Sequence, residues 1–208
     1  MSDSTLTPLM NKPRIALIGT GGTISSIGRH PLDLIEYPDT GLKLDAGEVL
    51  ERTPVASEIA DVRPVPYRAV GSMQMGPRDW LSLVALIKRL VAEDAGLDGV
   101  VITHGTATTE ETAYFLNLTL DDVAPPVVVV GAQRPTSGLG TDAGINLVNA
   151  IKVASCEESR EMGVVVMLND EIQAAREVTK PSTLRMHTFR SPDFGVLGHV
   201  DADRVTYY

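Results

Sequence analysis

Short apolar runs alternate along the chain with segments whose apolar residues recur at helical spacing. The runs are rich in β-branched residues, which is typical of strands buried on both faces of a parallel sheet. Such strands are predicted at residues 15–18, 99–103, 127–130 and 163–168, and helices at 46–52, 77–91, 108–118 and 142–154. Because strands alternate with helices, the sequence predicts a three-layer α/β sandwich with a mostly parallel sheet.

The remaining segments carry weaker patterns. Residues 62–70 are predicted to form an edge strand, because Pro64 and Pro66 cannot donate hydrogen bonds to a ladder. Residues 24–44 show no sustained period and are interpreted as a long loop, a class of segment that is often functional. Short antiparallel hairpin elements are predicted near the C-terminus at 173–180 and 198–208, with turns at Asp170 and 201–203.

Two helix starts carry candidate capping residues. Thr108 is followed three residues later by Glu111, which predicts a capping box, and Asp142 predicts the N-cap of the helix that runs through Ala154. Thr106 then lies between a strand end and a helix start. Free backbone N–H groups at such a position favour an anion.

A glycine turn follows the first predicted strand. Gly19, Gly21 and Gly22 let the backbone turn sharply and let a ligand approach closely. The turn is not a dinucleotide fingerprint, because Ile24 stands where the third glycine belongs, and it lacks the Gly-Lys-Ser/Thr of a P-loop. From the residues alone, an ordinary glycine-rich turn and a ligand site are equally good interpretations.

Hydroxyl side chains follow the predicted strands at three points. Thr23, Ser72 and Thr106 all lie at carboxyl ends, where ligands bind in open α/β sheets. A hydroxyl is a weak nucleophile until a base activates it, and Tyr37 and Lys180 are the candidate activators. Taken singly, Tyr37 is equally well interpreted as a surface tyrosine, and a lone lysine such as Lys180 is in most cases a solvated surface group.

Composition narrows the classes of partner. A net charge of -9 without a basic stripe argues against nucleic acid and anionic membranes as partners. One cysteine, Cys156, excludes an intramolecular disulfide, and the four histidines have no metal-ligand spacing, so neither a metal nor a cofactor is predicted. A reducing, cytoplasmic location follows as the default. Residues 1–13 are polar and lack an apolar core region, which predicts a disordered leader without a signal peptide.

Five motifs, in a fixed order, resemble those of bacterial-type L-asparaginases. They are Gly-Thr-Gly-Gly-Thr-Ile from 19, Gly-Ser-x-x-Met from 71, Thr-His-Gly-Thr-x-Thr-x-Glu-Glu-Thr-Ala-Tyr-Phe-Leu from 103, Val-Gly-Ala-x-Arg-Pro from 130 and Asn-Asp-x(7)-Val-Thr-Lys from 169. The resemblance identifies residues 14–208 as the N-terminal catalytic domain of that family, with the smaller C-terminal family domain absent. It also implies a homo-oligomer that associates more weakly than the full-length family members.

The resemblance implies an amidohydrolase that forms a threonine acyl-enzyme, releases ammonia and then hydrolyses the ester. Thr23 resembles the nucleophile and Tyr37 its activator in the loop, while Thr106 and Lys180 resemble the second catalytic pair. Ser72 resembles the ligand of the substrate α-carboxylate. The implied substrate-binding residues are Thr23, Ser72, Met73, Thr106, Ala107 and Ala132, and the implied substrate is a small-molecule amide.

Two positions depart from the family pattern. Ala107 stands where the family has an aspartate, and Met73 stands where a polar residue is frequent. Both family residues contact the substrate α-ammonium, and the aspartate also pairs with the lysine that Lys180 resembles. The departures therefore predict a changed or abandoned amine pocket and a lysine without an orienting carboxylate.

Two other functions stay open at this point. A catalytically weak or inactive relative that binds a small carboxylate would retain the same motifs. An ammonia-supplying domain for tRNA-bound substrates is disfavoured, because no basic surface is predicted. Ammonia release from asparagine, glutamine and amides without an α-amine separates the first of these from the amidohydrolase.

Overall fold

The computed structural model describes residues 12–208, so the predicted leader over 1–13 lies outside the described residues except for Lys12 and Pro13. The strands, in chain order, are β1 (Arg14–Gly19), β2 (Asp61–Val65), β3 (Gly99–Thr103), β4 (Val127–Val130), β5 (Val164–Leu168), β6 (Glu171–Ala174), β7 (Gly198–Asp201) and β8 (Arg204–Tyr207). The helices are α1 (Ala46–Glu51), α2 (Ala56–Ile59), α3 (Pro77–Glu93), α4 (Thr109–Thr119) and α5 (Ala143–Ala154).

The strands form one sheet in the order β2-β1-β3-β4-β5-β6-β7-β8. The pairs from β2 to β5 are parallel, and the pairs from β5 to β8 are antiparallel. From β1 the chain passes to β2 on one side and then crosses to β3 on the other, so the topological switch point lies between β1 and β3. Ligands of such sheets bind outside the carboxyl ends of the strands at this point.

Apolar layers cover both faces of the sheet. In β1, Ile15 and Leu17 join the cluster that includes α1, α2 and α5, whereas Ala16 and Ile18 join the cluster that includes α3 and α4. Alternate residues point to opposite faces of a strand, and both faces must be apolar when helices pack on each. The predicted three-layer α/β sandwich is confirmed.

Two predicted strands are shorter in the structure. The edge strand ends at Val65 because Pro66 follows, and residues 66–69 lie outside the ladder. Val70 returns to the sheet only as an isolated parallel bridge with Gly21. Near the C-terminus, the strand predicted over 173–180 is β6, which ends at Ala174. The turn before β6 is as predicted, with Asn169 at φ 53 and Asp170 at φ 63.

Both predicted side-chain caps are wrong. Thr108 occupies the N-cap position of α4, but its hydroxyl donates to the carbonyl oxygen of Ser72 at 2.9 Å. Asp142 occupies the N-cap of α5, but its carboxylate accepts from the backbone N–H groups of Gln133 and Arg134, each at 2.9 Å. In both cases the side chain binds a backbone group outside its own helix: Thr108 binds a residue 36 positions away, and Asp142 binds two residues of the preceding loop.

The turn after β1 packs directly on the turn after β3. Gly22 has φ +83, and a Cβ atom there would lie 2.2 Å from the Cα atom of Gly105. Gly22→Ala should therefore lower the free energy of unfolding by about 3 kcal/mol, because positive-φ strain and overpacking each cost roughly 1–3 kcal/mol. Urea unfolding measures the loss.

Gly41→Ala is the matched control for this prediction. Gly41 has φ +67, but a Cβ atom there would meet nothing within 4 Å, so only strain is added. An equal loss of stability in the two variants would contradict the packing argument.

Candidate active site

The carboxyl ends of β1 and β3 and the segment after β2 meet around one cavity of about 260 Å³. The lining includes residues predicted for the site: Thr23, Tyr37, Ser72, Met73, Thr106, Ala107 and Lys180. The cavity lies at the switch point of the sheet, where the strand order predicts a ligand site. Of these residues, Thr23, Ser72 and Thr106 were predicted from the strand ends to converge at this edge, and the structure brings them together there.

Close backbone contacts hold the three segments together. Gly22 touches Gly105, and a Cβ atom on Gly105 would lie 2.7 Å from the Cβ atom of Ser72. The Thr108 hydroxyl also binds the Ser72 carbonyl, so the start of α4 is tied to the segment after β2. Glycine at these contacts is required by space, since any side chain would separate the segments.

Thr23 and Tyr37 form the first hydroxyl pair. Thr23 Oγ1 lies 2.7 Å from the Tyr37 hydroxyl oxygen, and either oxygen can donate the hydrogen. Tyr37 opens a short 3₁₀ turn (Tyr37–Thr40) within the predicted loop. The Thr40 hydroxyl helps to hold Tyr37 in place, because its single hydrogen is shared between the carbonyl oxygens of Ile27 and Tyr37 at 2.7 and 2.9 Å.

Thr106 and Lys180 form the second pair. Lys180 Nζ donates to Thr106 Oγ1 at 2.6 Å, and Thr106 is only 6% exposed. Burial lowers the pKa of Lys180, and the negative charge of Glu110 partly offsets this by raising it. A larger fraction of this amine is therefore neutral at neutral pH than for an exposed lysine.

Glu110 was not predicted as a site residue. Its Oε2 accepts the backbone N–H of Lys180 at 2.6 Å, from the first turn of α4. This contact is to the backbone of Lys180, and no ion pair within residues 12–208 joins its ammonium to a carboxylate, so the predicted lysine without an orienting carboxylate stays a prediction. No local pattern of the sequence predicted this contact, because Glu110 and Lys180 are 70 residues apart.

The other predicted substrate-binding residues differ in their surroundings. Met73 is 79% exposed, and Ala107 is exposed at the edge of the cavity. Ala132 is fully buried in the apolar cluster on the α5 face and does not line the cavity. Its predicted contribution through a backbone group stays a prediction.

His104 lies directly behind the site, fully buried. Its Nε2 is 3.0 Å from Thr112 Oγ1, which accepts a hydrogen bond from Trp80 Nε1 at 2.9 Å. Its Nδ1 is 2.8 Å from the Gly105 carbonyl oxygen, so Nδ1 carries the hydrogen and Nε2 accepts from Thr112. Burial lowers the pKa of His104 to about 4. The neutral ring thus fixes the peptide that precedes Thr106.

Comparison with known proteins shows the family of the chain. Residues 14–208 match the family model described as "Asparaginase, N-terminal". The chain belongs to the asparaginase family. It is 40% identical over 195 residues to the "Probable L-asparaginase periplasmic" of Haemophilus influenzae, covering 94% of this chain and 54% of that protein. It is 39% identical over 191 residues to "L-asparaginase 2" of Bacillus subtilis, covering 92% and 50%.

A solved asparaginase-family structure has the same fold. The "Probable Cytoplasmic L-asparaginase" of Campylobacter jejuni superposes with a TM-score of 0.88 at 41% identity, over 95% of this chain and 58% of that one. The chain spans about half the length of the curated relatives it matches. Within residues 12–208, no helix has the length and apolar character needed to cross a bilayer. The same residues contain no cluster of three or more potential metal ligands.

Proposed function

We propose that this chain is an amidohydrolase of the L-asparaginase class, which hydrolyses the side-chain amide of asparagine or a related carboxylic amide through an acyl-enzyme on Thr23. One observation carries the proposal: the Thr23–Tyr37 and Thr106–Lys180 pairs line one cavity at the switch point of the sheet. Family membership supports the class of reaction. The two pairs supply the nucleophile and a base for the two half-reactions, formation and hydrolysis of the acyl-enzyme.

In the first half-reaction, Thr23 Oγ1 attacks the carbonyl carbon of the amide. Its proton passes through the Tyr37 hydroxyl to the departing nitrogen, which leaves as ammonia and leaves an ester on Thr23. Charge that develops on the carbonyl oxygen requires nearby donors, and the backbone N–H groups at the start of α4 lie at this edge of the sheet.

In the second half-reaction, a water molecule attacks the ester carbon. Neutral Lys180 takes a proton through Thr106 Oγ1, so that the attacking oxygen becomes a hydroxide equivalent. The ester bond then breaks, the proton held by Lys180 returns to the Thr23 oxygen, and the carboxylic acid leaves. The lowered pKa of Lys180 suits this role, because an ordinary lysine carries its proton at neutral pH.

Ammonia release tests the proposed function. The panel comprises asparagine, glutamine and amides without an α-amine, each assayed with a coupled ammonia readout. We expect turnover of at least one amide. Absence of turnover throughout, together with measurable binding of a small carboxylate, would instead establish the non-catalytic relative.

The charge of Glu110 gives the proposal a pH dependence. Glu110→Gln keeps an oxygen that can accept the Lys180 N–H but removes the charge that raises the pKa of Lys180. The pKa of Lys180 should then fall further. Because the rate requires neutral Lys180, the rising limb of the kcat profile should move to lower pH.

The matched control is Glu111→Gln, the same change one residue along α4 at an exposed position. Its kcat profile should superpose on that of the parent. A limb that stays in place in Glu110→Gln, or that moves to higher pH, would contradict the role of Lys180 as the base.

Location and assembly are also proposals. The names of the relatives differ, since one is called periplasmic and another cytoplasmic. We propose the cytoplasm, in line with the single cysteine, and a homo-oligomer, from the family resemblance. Cell fractionation and sedimentation velocity measure the two.

A further inference from the structure

The charged side chains that line the cavity all have the same sign. Lys43 and Lys180 line it, and no aspartate or glutamate is among the lining residues. The chain as a whole carries a net charge of -9. A cationic cavity in an acidic chain attracts an anionic ligand and opposes a cationic one.

The backbone fixes Lys43 beside the predicted nucleophile. Residues 42–44 pair in antiparallel fashion with residues 25–27, which begin two positions after Thr23. The Leu44 N–H donates to the Ser25 carbonyl at 2.7 Å, and Lys43 forms a bridge with Ser26. Lys43 therefore holds a defined place at the cavity, although it lies in a segment without a regular pattern.

The Lys43 ammonium has no hydrogen bond or ion pair within residues 12–208. Lys180 differs, because its Nζ donates to Thr106 and its backbone N–H is bound by Glu110. Lys43 is half-buried at the cavity wall, and an ammonium without a protein partner is available there to a carboxylate of the ligand.

We propose, on the basis of the proposed function, that Lys43 binds a carboxylate of the substrate and that the cavity selects amides carrying a carboxylate and no free ammonium. An ammonium that leaves water needs a carboxylate or other acceptors, whereas the cavity lining presents the cation of Lys43 and no carboxylate. A zwitterion such as asparagine gains binding free energy from its carboxylate and loses binding free energy from its ammonium. Succinamate and N-acetylasparagine present only the carboxylate.

Kinetics of three lysine variants test the assignment. Lys43→Met should raise KM for succinamate about tenfold with kcat unchanged, since loss of binding shared by ground and transition states appears in KM. Lys43→Arg should retain most of the affinity. Lys88→Met is the matched control, because it removes one charge from α3, where Lys88 pairs with Asp122 at 2.7 Å outside the cavity.

Two further measurements separate this inference from the proposed function. Raising the ionic strength should weaken the binding of succinamate more than the binding of asparagine, because only succinamate has a net charge to be screened. Calorimetry with succinate and aspartate reports binding without catalysis. Succinate should bind the parent more tightly than aspartate does. Of the three variants, only Lys43→Met should lower the affinity for succinate about tenfold.

Each outcome decides one of the two proposals. Lys43-dependent succinate binding without hydrolysis of any amide would sustain the inference and reject the proposed function. Hydrolysis with asparagine preferred over succinamate would sustain the function and overturn the selectivity. Equal KM and equal succinate affinity in the parent and Lys43→Met would overturn the role of Lys43.

Discussion

Thr23→Ala should reduce ammonia release by about a thousandfold or more with every amide that the parent hydrolyses, as expected when a nucleophile is removed. Thr23→Ser should retain part of the activity, because it keeps the hydroxyl beside Tyr37. The 2.7 Å contact between the two oxygens is the physical basis for this expectation. Intact-mass measurement after rapid quenching should detect an acyl adduct on the parent and none on Thr23→Ala.

Thr183→Ala provides the control for this experiment. Thr183 is exposed, and its side chain neither lines the cavity nor forms a hydrogen bond within residues 12–208. Its turnover should equal that of the parent. Unchanged turnover in Thr23→Ala would transfer the nucleophile to Thr106, the other threonine at the cavity.

The parallel sheet was predictable because burial on both faces leaves little choice of residue. The run 127–130 is the clearest case: all four valines are buried, and the strand has the predicted bounds. The convergence of Thr23, Ser72 and Thr106 followed from the same logic, since parallel strands present their carboxyl ends at one edge. Local pattern and topology were sufficient here.

The predictions of side-chain contacts failed where the partner lies far away in the sequence. The Thr108 hydroxyl does not cap α4, because it donates at 2.9 Å to the carbonyl oxygen of Ser72, which is 36 residues away in the sequence. Lys43 and Glu110 were not predicted as site residues for a related reason. Lys43 lies in a loop without periodicity, and the Glu110 carboxylate meets a backbone N–H that is 70 residues away. A single sequence carries no signal for such contacts, because propensity and period are local properties.

The preference of the enzyme should shift from succinamate toward asparagine when position 107 carries the carboxylate that the family pattern has there. Ala107→Asp places an acid at an exposed edge of the cavity, where a larger side chain has room. A substrate ammonium then has an anionic partner at the cavity. We expect kcat/KM for asparagine relative to succinamate to rise about 100-fold, which corresponds to about 2.7 kcal/mol. Part of the pairing energy is lost because this edge remains hydrated.

The double variant Ala107→Asp, Met73→Gln separates a shared ammonium site from a general change in charge. Met73 lines the same cavity, so a glutamine there can accept from the same ammonium as Asp at 107, and the gain for asparagine should exceed the sum of the single gains. Ala107→Asn is the neutral control, and it should leave the ratio near that of the parent. A parent that already prefers asparagine by orders of magnitude would show that another residue binds the amine, and an equal rise in Ala107→Asn would show that charge is not the cause.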